Sequence, residues 1–191
     1  MINQSKNLSF IFLFIAISTM FIGCDQRSEY QKEIDLALET GQTYDSLIFD
    51  YKFGMSQEDF FEYSWEINKQ GLVVNGAGAE IVEDVDWLSF PARRSFYPNF
   101  VDDKIAQFPL IYSYNGWAPW NNHLVADSLL IDVKNYLSNQ YDATFEPRVV
   151  ESGDTVLYDV SGNREIRIET IDEQKIRVTF SDLRILSTGT N

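Results

Sequence analysis

Residues 156–180 read VLYDVSGNREIRIETIDEQKIRVTF, and the spacing in this stretch decides the fold class. Ile166 and Ile168 alternate with Glu165, Arg167 and Glu169, and Ile176, Val178 and Phe180 alternate with Lys175, Arg177 and Thr179. A period of two sends successive side chains to opposite faces of a strand. Val156, Tyr158 and Val160 read the same way. Ser161-Gly162-Asn163 and Asp172-Glu173-Gln174 supply turn chemistry between the runs. Tight turns join antiparallel neighbours. The stretch therefore predicts a meander with one wet face and one buried face.

A buried face needs a cover. Just upstream, residues 122–140 carry Ala126, Leu129, Leu130, Val133, Tyr136 and Leu137 at helical spacing. Further upstream, Leu47, Phe49, Tyr51 and Phe53 alternate across residues 45–53 and predict a strand. Gly54 turns the chain, and Ser56 stands three residues before Asp59, a capping box with Asp in place of Glu. A helix follows with Phe60, Phe61, Ser64, Trp65 and Ile67, stopped by Gly71 with apolar Leu72 beyond it. Residues 72–74 and 80–85 read as extended around a Gly76-Ala77-Gly78 turn, and 96–101 and 105–114 as strands around Asp102-Asp103. The order predicts an α+β fold with antiparallel sheet packed against two main helices. It is compatible with one sheet flanked by both helices or with two packed α–β units of similar plan.

The N-terminus has its own logic. Lys6 precedes an apolar run from Leu8 to Ile22, shorter than the ~20 residues of a membrane-spanning helix. This is the pattern of a secretory signal. It ends in Phe21-Ile22-Gly23-Cys24, which contains the only cysteine of the chain. That tetrapeptide resembles the lipobox of bacterial lipoproteins, with Phe21 where an aliphatic residue is usual. The resemblance implies cleavage before Cys24 and lipid on Cys24. It gives a signal peptide at residues 1–23 and a polar tether at 24–43. The tether is partly helical through Ser28, Ile34, Ala37 and Leu38 and stops near Gly41. A globular domain at 44–186 and a loose tail at 187–191 follow. The expected location is the cell envelope, on the periplasmic side of the outer membrane rather than the inner one. With no second cysteine to pair, stability must come from packing, and aromatic residues are spread across the domain.

Phe53-Gly54-Met55-Ser56, continued by Gln57-Glu58-Asp59-Phe60, resembles the helix opening of small envelope lipoproteins of the SmpA/OmlA type and of β-lactamase-inhibitor-protein-like domains. The chain as a whole is similar to envelope lipoproteins of Bacteroidota-type bacteria. The resemblance implies an assembly or binding role and supplies no catalytic residues.

A net charge of −14 weighs against nucleic acid as a partner, because phosphate binding needs a basic surface. His123, the single histidine, has no nucleophile-elbow serine to serve, and no His-Glu-x-x-His pair exists. Glu80, Glu83, Asp84 and Asp86 would point to both faces of a strand rather than converge on a cation. The glycines of Gly76-Ala77-Gly78 lack the lysine of a phosphate loop. The reading predicts no metal, no cofactor and no enzyme. The most suggestive stretch is residues 112–122, where Tyr112, Tyr114, Trp117, Trp120 and Asn121 crowd a loop with Gly116 and Pro119. Aromatic faces on a loop grip peptides or stack on sugars, whereas rings plugging a helix–sheet joint would be core. The expected function is non-catalytic binding or assembly by a lipid-anchored envelope protein, through a membrane-held domain that meets an envelope protein. The first alternative is a glycan or small-ligand binder using Trp117 and Trp120, and the next an envelope hydrolase.

Overall fold

The computed structural model describes residues 27–150 and 152–188. The expected signal peptide at residues 1–23 and Cys24 lie outside the described residues. By its internal contacts the chain divides into two units, residues 1–32 and 33–191. Of the first unit, the described residues begin helix α1 (Glu29–Glu39). There the Gln31 N–H donates to the Ser28 hydroxyl at 3.1 Å, and Lys32 pairs with Glu29 at 2.9 Å.

The larger unit is built on one nine-stranded antiparallel sheet. The strands are β1 (Val74–Asn75), β2 (Ile81–Val85), β3 (Ala92–Phe96), β4 (Asn99–Val101), β5 (Lys104–Tyr114), β6 (Glu146–Val149), β7 (Thr155–Ser161), β8 (Arg164–Thr170) and β9 (Lys175–Asp182). Their spatial order is β1-β2-β3-β5-β9-β8-β7-β6, with β4 paired to the first part of β5. Helix α2 (Gln57–Lys69) precedes the first four-strand path, and α3 (Ala126–Tyr141) precedes the second. Each half is thus a helix followed by a meander. The halves join where their last strands meet, with Phe108 opposite Phe180 and Leu110 opposite Val178. Both architectures left open by the sequence hold together: one sheet, made of two similar α–β units. A short helix α4 (Leu183–Thr188) closes the chain, so Ser187 and Thr188 are helical rather than tail.

Both long helices feed one core. Phe60 and Ile67 of α2 and Leu129, Val133 and Leu137 of α3 share it with Phe108, Leu110, Ile166, Ile168, Val178 and Phe180 of the sheet. Helix α2 begins as its capping residues demand: Ser56 accepts from the Asp59 N–H at 3.1 Å, and Gly71 adopts φ +74° at the stop. A second cap comes from far away, where the Gln57 N–H donates to Asp103 at 3.2 Å.

Three local expectations are corrected. Residues 45–53 are not a strand. Ser46 bridges Lys52, and between them Ile48–Asp50 form a turn of 3₁₀ helix with Phe49 and Asp50 at φ +50° and +62°. The alternation tracked burial instead: Leu47, Tyr51 and Phe53 all enter the core. In β7 the phase is reversed. Leu157 and Asp159 pair with inward Ile168 and Ile166, leaving Tyr158 opposite Arg167 and Val160 opposite Glu165. Inward Asp159 is tolerated because it accepts from the Thr144 N–H at 2.9 Å and the Ser161 hydroxyl at 3.0 Å. Outward Tyr158 donates to Glu33 of α1 at 2.8 Å. Finally, α3 starts at Ala126 rather than 122. Turns closed by Asn121 N–H to Ala118 O and Leu124 N–H to Asn121 O occupy the residues before it.

Candidate functional site

The aromatic loop divides into buried and open parts. Tyr112 and Tyr114 lie on the inward face of β5 and belong to the core, so neither offers a contact surface. The Tyr112 hydroxyl accepts from Arg94 at 3.1 Å, and the Tyr114 hydroxyl donates to Asp132 of α3 at 2.5 Å. Burial and, at Tyr114, the bond to Asp132 push both phenols above their ordinary pKa. Beyond β5 the chain turns outward. Gly116 takes φ +75°, which costs a residue without Cβ nothing, and the Asn115 N–H is held by the Pro91 carbonyl at 2.9 Å. Leu124 then drops into the core and fixes the far end.

Between these anchors the loop carries Trp120, 85% exposed, and a half-buried Trp117. Trp117, Ala118 and Pro119 form one wall of a cleft of about 620 Å³. The opposite wall is the start of α3, with Val125, Ala126 and Asp127, and the β8–β9 turn, with Thr170, Asp172 and Glu173. The two parts are tied together, since the first helical N–H, of Ala126, donates to the Glu173 carbonyl at 2.9 Å. The turn is set by Asp172, whose carboxylate accepts from the Gln174 and Lys175 N–H groups at 2.8 and 2.9 Å. The Trp117 indole nitrogen is buried with no hydrogen-bond partner. Asn121 is half-buried and its N–H serves the loop turn. Of the five residues weighed from sequence, Trp117 lines the cleft, Trp120 stands exposed and Asn121 half-buried on the same loop, and the two tyrosines belong to the core.

The other residues weighed from sequence are spread out. His123 is exposed on the loop. The acidic run around β2 splits by face: Asp84 meets Arg93 at 3.5 Å, while Glu83 forms an ion pair with Arg94. Among the described residues no group of three or more His, Cys, Asp or Glu could hold a metal ion. No described helix is long and apolar enough to cross a membrane.

Sequence reasoning missed the buried guanidinium of Arg94, 3% exposed between Ala92 and Phe96 on the inward face of β3. It lies near the rings of Phe49, Tyr112 and Trp87, 5.5–5.7 Å from each centroid, and Trp87 stacks on Tyr136 at 3.8 Å. Burial raises the Glu83 pKa and outweighs the pull of Arg94. Burial also opposes the Arg94 charge, but Tyr112 and Glu83 outweigh it and hold that pKa above the ordinary value. The alternation Ala92-Arg94-Phe96 against Arg93 and Ser95 was the available signal. These contacts hold the Arg94 guanidinium inside the fold, whereas Trp120 stands open to solvent on its loop.

No known protein family, curated protein or solved structure matches the chain.

Proposed function

We propose that the chain is a lipid-anchored protein of the bacterial cell envelope with a non-catalytic binding or assembly role, and that the loop carrying Trp117 and Trp120 receives its partner. The observation that carries the reading is Trp120. A large ring left 85% exposed on a loop anchored at both ends offers a preorganised contact surface. The anchor rests on the apolar run ending in Gly23-Cys24. The acidity of the chain supports an envelope protein or glycan as partner rather than nucleic acid.

The test is paired. Cys24→Ser should abolish fatty-acid incorporation and release the protein from the membrane fraction; retained acylation would refute the anchor. Trp120→Ala should keep its melting temperature and lose envelope partners recovered by crosslinking. A folded variant that retains every partner would end the assignment of the loop.

A further inference from the structure

We infer that the domain rests on the bilayer that holds its lipid, with one end of the sheet turned to a zwitterionic lipid surface. This goes beyond the binding role proposed above and rests on the lipid anchor of that reading. The strand register defines the end. Val85 lies opposite Ala92, Ala92 opposite Tyr114, and Ser113 opposite Lys175. The same margin continues through Thr170 opposite Ile176 and Leu157 opposite Ile168 to Val149 opposite Thr155. The β2–β3 loop, the β5–α3 loop, the β8–β9 turn and the end of β6 therefore emerge together. Each shows water a large apolar side chain: Trp87 and Phe90, Trp120, Ile171 and Val149. The turns of the opposite end, at residues 97–98, 102–103 and 162–163, expose none. Apolar residues scattered singly need no explanation, whereas their gathering at one end marks a contact surface.

The path of the chain names what covers it. Leu38, Gly41 and Gln42 line a cleft with Asn163 of the β7–β8 turn, at the end without apolar tips. The Tyr44 N–H donates to the Asn163 side chain at 2.6 Å. Further back along α1, Glu33 accepts from Tyr158, inside β7. Traced toward the N-terminus, the chain thus runs from the bare end toward the apolar one. Cys24 stands nine residues before Glu33, a span of at most ~30 Å. Lipid on Cys24 brings the bilayer to the apolar end, and at that effective concentration a weak contact suffices. Aromatic rings settle at the headgroup level. Asp86, Asp172 and Glu173 in the same loops, with Asp127 in the first turn of α3, set the lipid charge, because an anionic leaflet repels them. The Trp120 loop leaves from this end, so its envelope partner is met at the membrane surface.

The test reads orientation in the acylated full-length protein, reconstituted into phosphatidylcholine vesicles that contain a headgroup-nitroxide lipid. With the lone native cysteine acylated, an introduced cysteine takes a fluorophore uniquely. Asn122→Cys marks the apolar end and Lys104→Cys, at the start of β5, the opposite end; both positions are exposed. The Asn122 label should lose most of its fluorescence to the nitroxide, and the Lys104 label should keep it. Phe90→Ser with Val149→Ser and Ile171→Ser should bring the two labels to equal quenching. Phosphatidylglycerol vesicles at low salt should weaken the Asn122 quenching. Unchanged melting temperatures establish that the variants are folded. Val149→Ser with Ile171→Ser alone keeps the comparison if loss of Phe90 from Tyr114 unfolds the chain. Equal quenching of both labels in the acylated parent, or stronger quenching at Lys104, would overturn the inference while the anchor stands. Asn122 quenching indifferent to the serine variants would also overturn it, as would stronger quenching in phosphatidylglycerol. Absence of fatty acid on Cys24 would overturn the anchor and the inference together.

Discussion

Tyr51 sits where several rings meet: Phe60, Tyr63, Phe96 and Phe108 lie 5.1–5.8 Å from its centroid. Its hydroxyl shares a 2.7 Å hydrogen bond with Ser64. Burial pushes its pKa from 10.0 up to about 12, the Ser64 bond pulling slightly the other way. The fold holds the proton more tightly than the unfolded chain does. Its contribution to stability is therefore complete below about pH 10 and lost as the pH rises through 12. Tyr112, Tyr114 and Tyr141 are raised in the same direction by burial. Denaturant midpoints measured through this window should fall steadily. Tyr51→Phe should cost ~0.5–1.5 kcal/mol at neutral pH and flatten the alkaline decline. A decline as steep as the parent's would show that Tyr51 does not contribute to it.

Three consecutive positions on α3 make a second residue-level test. Leu129 is fully buried, Leu130 is half-buried and Ile131 is 57% exposed. Leu129→Ala should destabilise by roughly 2–5 kcal/mol, Leu130→Ala by less, and Ile131→Ala by within about 0.5 kcal/mol. Urea midpoints in any other order would mean that the helix is rotated about its axis.

At the scale of elements, α2 depends on its ends. Ser56→Ala removes the acceptor for the Asp59 N–H and should cost about 1 kcal/mol by chemical denaturation. A midpoint unchanged from the parent would mean that Asp103, which caps Gln57 from the β4–β5 turn, carries the N-terminus alone. This helix was readable because its signals are local: Ser56, Asp59 and Gly71 act within a few residues of themselves. The segment at residues 45–53 was not, because its period of two is produced by a turn with left-handed Phe49 and Asp50 and no glycine to announce it. The phase of β7 was equally hidden. Leu157 and Val156 are both apolar, and the choice between them depends on Thr144 satisfying an inward Asp159 from another part of the chain. The site followed the same division. A crowded aromatic loop could be seen, but which rings face water depends on β5 ending at Tyr114 and on Leu124 anchoring the return.

At the scale of the whole molecule, the β5–β9 pairing makes the two halves share one core. All four tryptophans, Trp65, Trp87, Trp117 and Trp120, precede α3. Trp87 nevertheless stacks on Tyr136 of α3 and Trp117 shares a cleft with α3 and the β8–β9 turn, so the probe of the first half is Trp65 on α2, read in a variant that keeps it as the single tryptophan. Ile168→Ala, at a fully buried position of β8 in the second half, should lower stability by roughly 2–5 kcal/mol. It should move the fluorescence midpoint and the far-ultraviolet dichroism midpoint together. A fluorescence transition left in place while the dichroism shifts would show that the halves unfold separately.

The outermost strands bear on how the protein behaves when concentrated. At one margin of the sheet β1 is only two residues long. At the other, β6 reads Glu-Pro-Arg-Val, so proline removes one donor from the row and flanking charges of both signs are held in place. Neither margin offers the long, flat, uncharged template on which a second chain could crystallise into a growing ribbon. Crowding many copies into a small volume should therefore leave them as separate particles, and fibril nucleation would have to begin from a partly opened chain.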